Sequence, residues 1–229
     1  MVESDEEQLE VLKNWWDENG TSLLTTVALS LMVIFGYRAW EDNTRETGEA
    51  ASRTYENLVQ ATANVSDENL KTTAITLGEE LKTEHEGSTY AIFAALHLAR
   101  VAAESDDLDG AQSQLEWVMD QRPEGHIETI TRMRLARVLI AKGDPTAAMS
   151  KLVNHEPAES QKSRWDETRG DVFVALGDDA NAREAYEMAL EVLDENGRLS
   201  NPLLALKLAD IPVTREAAAA QPEDEDEDA

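Results

Sequence analysis

The sequence predicts an all-α protein: a single N-terminal transmembrane helix followed by a tetratricopeptide-like helical-repeat solenoid. Three observations carry this prediction. Residues 19–37 form an unbroken run of 19 uncharged side chains. No window shows the period-two alternation of a half-buried strand. The tetrapeptide LARV occurs at 98–101 and again at 135–138, and a turn-and-helix pattern recurs around it.

The apolar run comes first in the chain. As a helix it is about 28 Å long, close to the ~30 Å hydrocarbon core of a bilayer. Trp15 and Trp16 precede it, and Tyr37 and Trp40 follow it. Aromatics at both ends match the two interfacial belts of a spanning helix, which makes these four the expected membrane-interface anchors. Thr21, Ser22, Thr25, Thr26 and Ser30 can return their hydroxyls to the helix backbone, so they are compatible with lipid. A secretory signal needs a basic start and a small-residue cleavage site. Residues 1–18 instead hold seven acidic residues and one Lys13, and no such site closes the run. A buried helix of a soluble domain is the other reading. It is weakened because the run is apolar on every face. An uncleaved anchor at 19–40 is favoured. Orientation stays open at this level: Lys13 precedes the span, and Arg38, Arg45 and Arg53 follow it, a small basic bias toward a cytoplasmic C-terminal side.

An amphipathic linker helix is expected at about 41–63, with Ala51, Tyr55, Leu58 and Val59 at helical spacing. Ser66-Asp67-Glu68 reads as an N-cap and acidic first turn opening a helix to about Glu84. The repeats follow, clearest at about 91–120, 128–156 and 162–194. Gly143 and Gly177 lie 34 residues apart, as do Ala148 and Ala182. Thirty-four is the tetratricopeptide period. The first two copies are 37 apart, which implies three extra residues in the QRPEGH connection. The markers have physical roles. Gly143 and Gly177 suit a left-handed helix end. Asp107, Asp144 and Asp178 suit N-caps, with Pro145 at N1. Ala111, Ala148 and Ala182 are small where helices approach closely, as are Ala99, Ala136 and Gly170 in the first helices. Leu115, Leu152 and Tyr186 should fill the space between repeats. Neither helix of a pair buries its apolar face alone, so the repeats stack. The third copy fits best, although Trp165 is one place early, Arg169 replaces a Leu and Asp194 replaces the closing Pro. Beyond Asn196-Gly197 a helix near 202–209 reads as a cap, and 214–229 as a low-complexity acidic tail.

Composition excludes several functions. The formal net charge of −27 opposes nucleic-acid binding, and the absence of cysteine removes thiolate chemistry and Cys-based metal sites. Acidity spread along the chain is an expectation of salt adaptation, to be checked by thermal stability rising with salt. The four His are scattered, and no phosphate-binding or nucleophile motif is present. Ser105-x-Asp107-x-Asp109-Gly110-x5-Glu116 approaches a calcium-loop pattern, but a helix cap and a helical Ala111 explain it without metal. The sequence therefore predicts no enzyme, no cofactor and no small-molecule substrate. The best functional surface is the groove lined by the first helices. Arg100, Arg137 and Asp171 hold equivalent places in the three copies, and the two Arg suit carboxylates of a partner.

The LEVLKNWWDENG segment, the span followed by Tyr37-Arg38-Ala39-Trp40, and the two LARV helices together resemble the YfgM family of ancillary subunits of the bacterial Sec translocon. The resemblance covers about residues 5–213. It implies a bacterial inner-membrane protein with residues 1–18 in the cytoplasm and a periplasmic domain over 41–213. It also implies association with the SecYEG channel and a periplasmic chaperone of the PpiD type, contact with emerging secretory chains, and no catalytic residues. A membrane-anchored scaffold for envelope assembly or cell division is the alternative.

Overall fold

The computed structural model describes residues 5–63, 66–191 and 202–212. The expected acidic tail at 214–229, Asp194 and the Asn196-Gly197 turn lie outside these residues. The described residues fold into α-helices without a strand: α1 (Asp5–Ala61), α2 (Glu68–Glu84), α3 (Thr89–Glu104), α4 (Leu108–Asp120), α5 (Gly125–Ala141), α6 (Pro145–Leu152), α7 (Glu159–Leu176), α8 (Asp179–Glu191) and α9 (Pro202–Asp210). They divide into two compact units, residues 1–53 and 54–229.

The first unit is helical throughout its described length. No proline interrupts α1, and nothing between Tyr37 and Glu41 breaks its hydrogen-bond ladder, so the span and the polar segment after it form one helix. The hydroxyls of Thr25, Thr26 and Ser30 donate to the carbonyls of Thr21, Ser22 and Thr26 at 2.7, 2.9 and 2.8 Å. Each is thereby satisfied within the helix, as lipid requires. This helix is long and apolar enough to cross a membrane, with only 6% of its apolar window buried.

The second unit is a stack of helix pairs. Each helix from α2 to α9 packs on its chain neighbour, and α5 also packs on α7, the step that turns pairs into a solenoid. Three turns repeat with the same bonding. Asp106, Gly143 and Gly177 take left-handed backbone at φ 61, 81 and 75°. The following amides of Asp107, Asp144 and Asp178 donate to the carbonyls of Ala102, Leu139 and Phe173, each at 2.9 Å. These six-residue closures satisfy the last carbonyls of α3, α5 and α7. The same three Asp then cap the next helix, their carboxylates accepting from the amides of Gly110, Ala147 and Asn181. One residue thus ends one helix and starts its partner. The first copy achieves this without glycine, because Asp is one of the few side chains tolerated in left-handed backbone.

Two local expectations shift. The cap of α2 is Asp67, which accepts from Asn69 and Leu70, rather than Ser66. The extra length between the first two copies is helical: α4 has 13 residues and α6 only 8, while the connection after α4 is the shorter one. Pro123 supplies no amide and restricts the residue before it, which stops α4.

Small residues permit the close packing. Ala111, Ala148 and Ala182 are fully buried, and Leu115, Leu152 and Tyr186 fill the layer one turn on. A methyl group added at Gly170 would run into the Tyr186 ring, so the small residue of α7 is required by the aromatic of α8. Trp165 lies in the same core as Ala99, Ala136, Leu135 and Val172.

Candidate functional site

The groove is built by α3 and α5, whose turns and caps fix where their side chains emerge. Arg100 on α3 donates to the Thr62 carbonyl at 2.8 Å and pairs with Glu104 at 3.2 Å. Arg137 on α5 donates to the Thr168 hydroxyl at 3.0 Å. Arg134, one turn before Arg137, makes no hydrogen bond or ion pair among the described residues. Burial, then the neighbouring charges of Arg100 and Arg137, hold its guanidinium below the ordinary arginine range. His97 is likewise lowered by burial and by Arg100 and Arg134, which favours its neutral form. In that form it can share hydrogen bonds with Tyr55 at 3.2 Å and Thr62 at 3.4 Å.

Two cavities adjoin along this surface, and both include Arg100 and Arg134. One, about 250 Å³, is walled by Tyr55, Phe93, Leu96, His97 and Ile130. The other, about 240 Å³, adds Arg137 and is walled by Ala99, Ala103, Leu115 and Val138. The arrangement offers guanidinium donors beside apolar surface. Such a site can hold a carboxylate through charge-assisted hydrogen bonds while burying the side chain next to it.

Asp171 is placed differently. Its carboxylate accepts from the Tyr186 hydroxyl at 2.8 Å and the Lys207 ammonium at 2.6 Å. Lys207 also reaches Glu167 at 2.8 Å. This end of the stack is tied to α9 by its own ion pairs, and Asp171 does not join the arginines. Sequence reasoning placed Arg100 and Arg137 together but missed Arg134. The available signal was its spacing, three residues before Arg137 and so on the same helical face.

The residues of the calcium-like loop and two of the histidines are engaged within the fold. Asp107 caps α4, Asp109 pairs with Lys142, whose hydrogen bond lowers the Asp109 pKa, and Glu116 accepts from Gln112 at 2.8 Å. The calcium-like loop therefore spends its carboxylates separately, and no group of three metal-binding side chains occurs among the described residues. His126 bonds Gln161 at 2.8 Å, and His155 bonds Thr129 at 2.8 Å and lies 3.4 Å from Glu128. In the first unit Trp15, Trp16, Tyr37 and Trp40 are all exposed, with the Tyr37 and Trp40 rings 6.0 Å apart.

Residues 13–213 match the family described as "Tetratricopeptide repeat-like domain". The chain is similar to proteins named "Ancillary SecYEG translocon subunit". It is 29% identical to that of Haemophilus influenzae over 89% of this chain and 96% of the relative. It is 28% identical to that of Aggregatibacter actinomycetemcomitans over 89% and 96%. It is 26% identical to that of Escherichia coli over 83% and 89%. No solved structure matches the chain. The family match and these relatives agree with the resemblance drawn from residues 8–20, the span and the LARV helices.

Proposed function

Because the chain belongs to the tetratricopeptide repeat-like domain family, we propose that it is an ancillary subunit of the bacterial Sec translocon, a membrane-anchored repeat module that binds protein. The observation that carries this is the shared name of relatives that match over 83 to 89% of the chain, beside a family match that runs through both the apolar helix and the repeats, residues 13–213. Neither a repeat fold nor a lone span would carry it, because fold does not set partner.

In this reading residues 19–40 contact lipid and the channel, with Trp15, Trp16, Tyr37 and Trp40 at the two interfaces. Residues 1–18 lie in the cytoplasm. The repeat domain over 41–213 lies in the periplasm, where it meets a PpiD-type chaperone or emerging secretory chains, and the groove of Arg100 and Arg137 contacts the partner. The chain performs no catalysis. Its energetic contribution is effective concentration: a module fixed beside a channel binds at high occupancy through a weak interface.

Purification of the full-length protein from gently solubilised membranes tests the assignment. SecY, SecE and SecG should co-purify; their absence while another envelope complex is recovered would reject it. Protease added outside spheroplasts should cleave the repeat domain. Protection of the repeats and cleavage of residues 1–18 would reverse the topology.

A further inference from the structure

Acidic residues outnumber basic ones 47 to 20 in the chain, yet guanidiniums without a carboxylate remain among the described residues. At the groove that condition occurs twice at adjacent positions. Arg134 is unpaired among the described residues, and Arg137 bonds only a neutral hydroxyl. Both are exposed. Arg100, itself paired with Glu104, adds a third guanidinium to the same surface and shares both cavities with Arg134. Like charges gathered this closely oppose one another, and after its partial burial they are the second cause that lowers the Arg134 pKa. A bound carboxylate removes that opposition.

The apolar walls restrict what carries the carboxylate. A free inorganic anion would leave the half-buried faces of Phe93 and Ile130 uncovered. A nucleic acid would meet the field of a −27 chain along its whole length. A short extended peptide satisfies both features, with one acidic side chain at the arginines and its neighbours in the cavities. The net negative charge does not prevent this, because salt screens it beyond about 8 Å at physiological ionic strength, whereas a guanidinium–carboxylate pair acts at contact.

We propose that the groove between α3 and α5 binds an extended peptide segment in which an acidic residue is flanked by aromatic or aliphatic ones. The carboxylate sits on Arg134 and Arg137, and the flanking side chains sit in the cavities lined by Phe93 and by Leu115. This rests on the reading of the repeats as a protein-binding module and names the chemistry of what they bind. It identifies Arg134 as a specificity residue.

The test uses the full-length protein in detergent and a fluorescent peptide alternating Glu with Phe and Leu, followed by anisotropy. Its counterpart carries Gln at every Glu. The account expects saturable binding of the Glu peptide, at least tenfold weaker binding of the Gln peptide, and at least a tenfold loss in the double variant Arg134→Gln, Arg137→Gln. The peptide pair keeps the test valid even if the variant misfolds. Equal binding of the two peptides overturns the proposal. So does displacement by phosphatidylglycerol vesicles as effective as by unlabelled peptide. So does binding that arises only after residues 216–229 are removed, which would assign the groove to the chain's own acidic segment. Sec co-purification of the wild-type chain is measured in parallel. Co-purification without peptide binding overturns the groove proposal alone, and peptide binding without co-purification overturns the translocon assignment alone.

Discussion

The span and the repeats use the same kinds of apolar residue and treat them in opposite ways. In α1, Leu29, Met32, Val33 and Phe35 are 56 to 71% exposed. In the repeats, Leu115, Leu135 and Val172 are at most 2% exposed. The difference lies in pattern, not composition. The repeat helices alternate large apolar residues with Ala or Gly at the points of contact, so another helix can cover them. The α1 run is apolar on every face and stays exposed in the chain's own fold. The same molecule thus carries one apolar surface covered by its own chain and one that its own fold leaves exposed.

The most disruptive way to break this comparison is to charge the span. Leu29→Arg with Val33→Arg places two guanidiniums near the bilayer centre, where each costs about 2.5–3.5 kcal/mol of insertion energy. The protein should move from the pellet to the supernatant in alkaline carbonate extraction, with helical circular dichroism of the repeats retained. Leu135→Ala tests the other side. It leaves a cavity in a core at packing density and should cost about 2–5 kcal/mol in denaturant unfolding, with no change in membrane retention. Gly170→Ala forces a methyl group into the Tyr186 ring and should cost about 1–3 kcal/mol. Asp144→Ala removes the α6 cap and should cost about 1 kcal/mol, read from the same unfolding curves.

The smallest expected effect is local and pH-dependent. Tyr186 is raised above its ordinary value of 10.0 by burial and by its hydrogen bond to Asp171. Lys207 is raised above 10.5, because hydrogen bonds to Asp171 and Glu167 outweigh its burial. Both pKa values are higher in the folded chain than in the unfolded one. The stability they contribute is therefore complete below about pH 10 and is lost as pH rises through the folded values. The thermal midpoint should fall as pH rises above about 10, and the fall should be shallower in the double variant Tyr186→Phe, Lys207→Met. An equal fall in both proteins would remove this cluster from the account.

What could be read from the sequence was local. Gly143, Gly177 and the three capping Asp announce their turns because left-handed backbone and side-chain caps depend on residues a few places apart. The first copy lacked the glycine, and Asp106 takes its conformation unannounced. Asp67 and Ser66 are both good caps, so composition could not choose between them. The arginine groove was half legible. Equivalent places in the LARV helices align Arg100 with Arg137, but Arg134 joins them only through the placement of α3 against α5. Asp171 shares their repeat position and yet is engaged by Lys207, 36 residues later. No periodic pattern encodes that pair.

The central claim is that the anchored helix places the repeat module beside the Sec channel. Site-specific photocrosslinking in intact cells tests it most directly, with the photoreactive residue at Leu29 in the span and, separately, at Arg137 in the groove. The account predicts an adduct between the span position and a SecYEG subunit, and adducts from Arg137 with a chaperone or a secretory chain. Adducts from both positions confined to an envelope-assembly or division complex, with no Sec subunit among them, would contradict it.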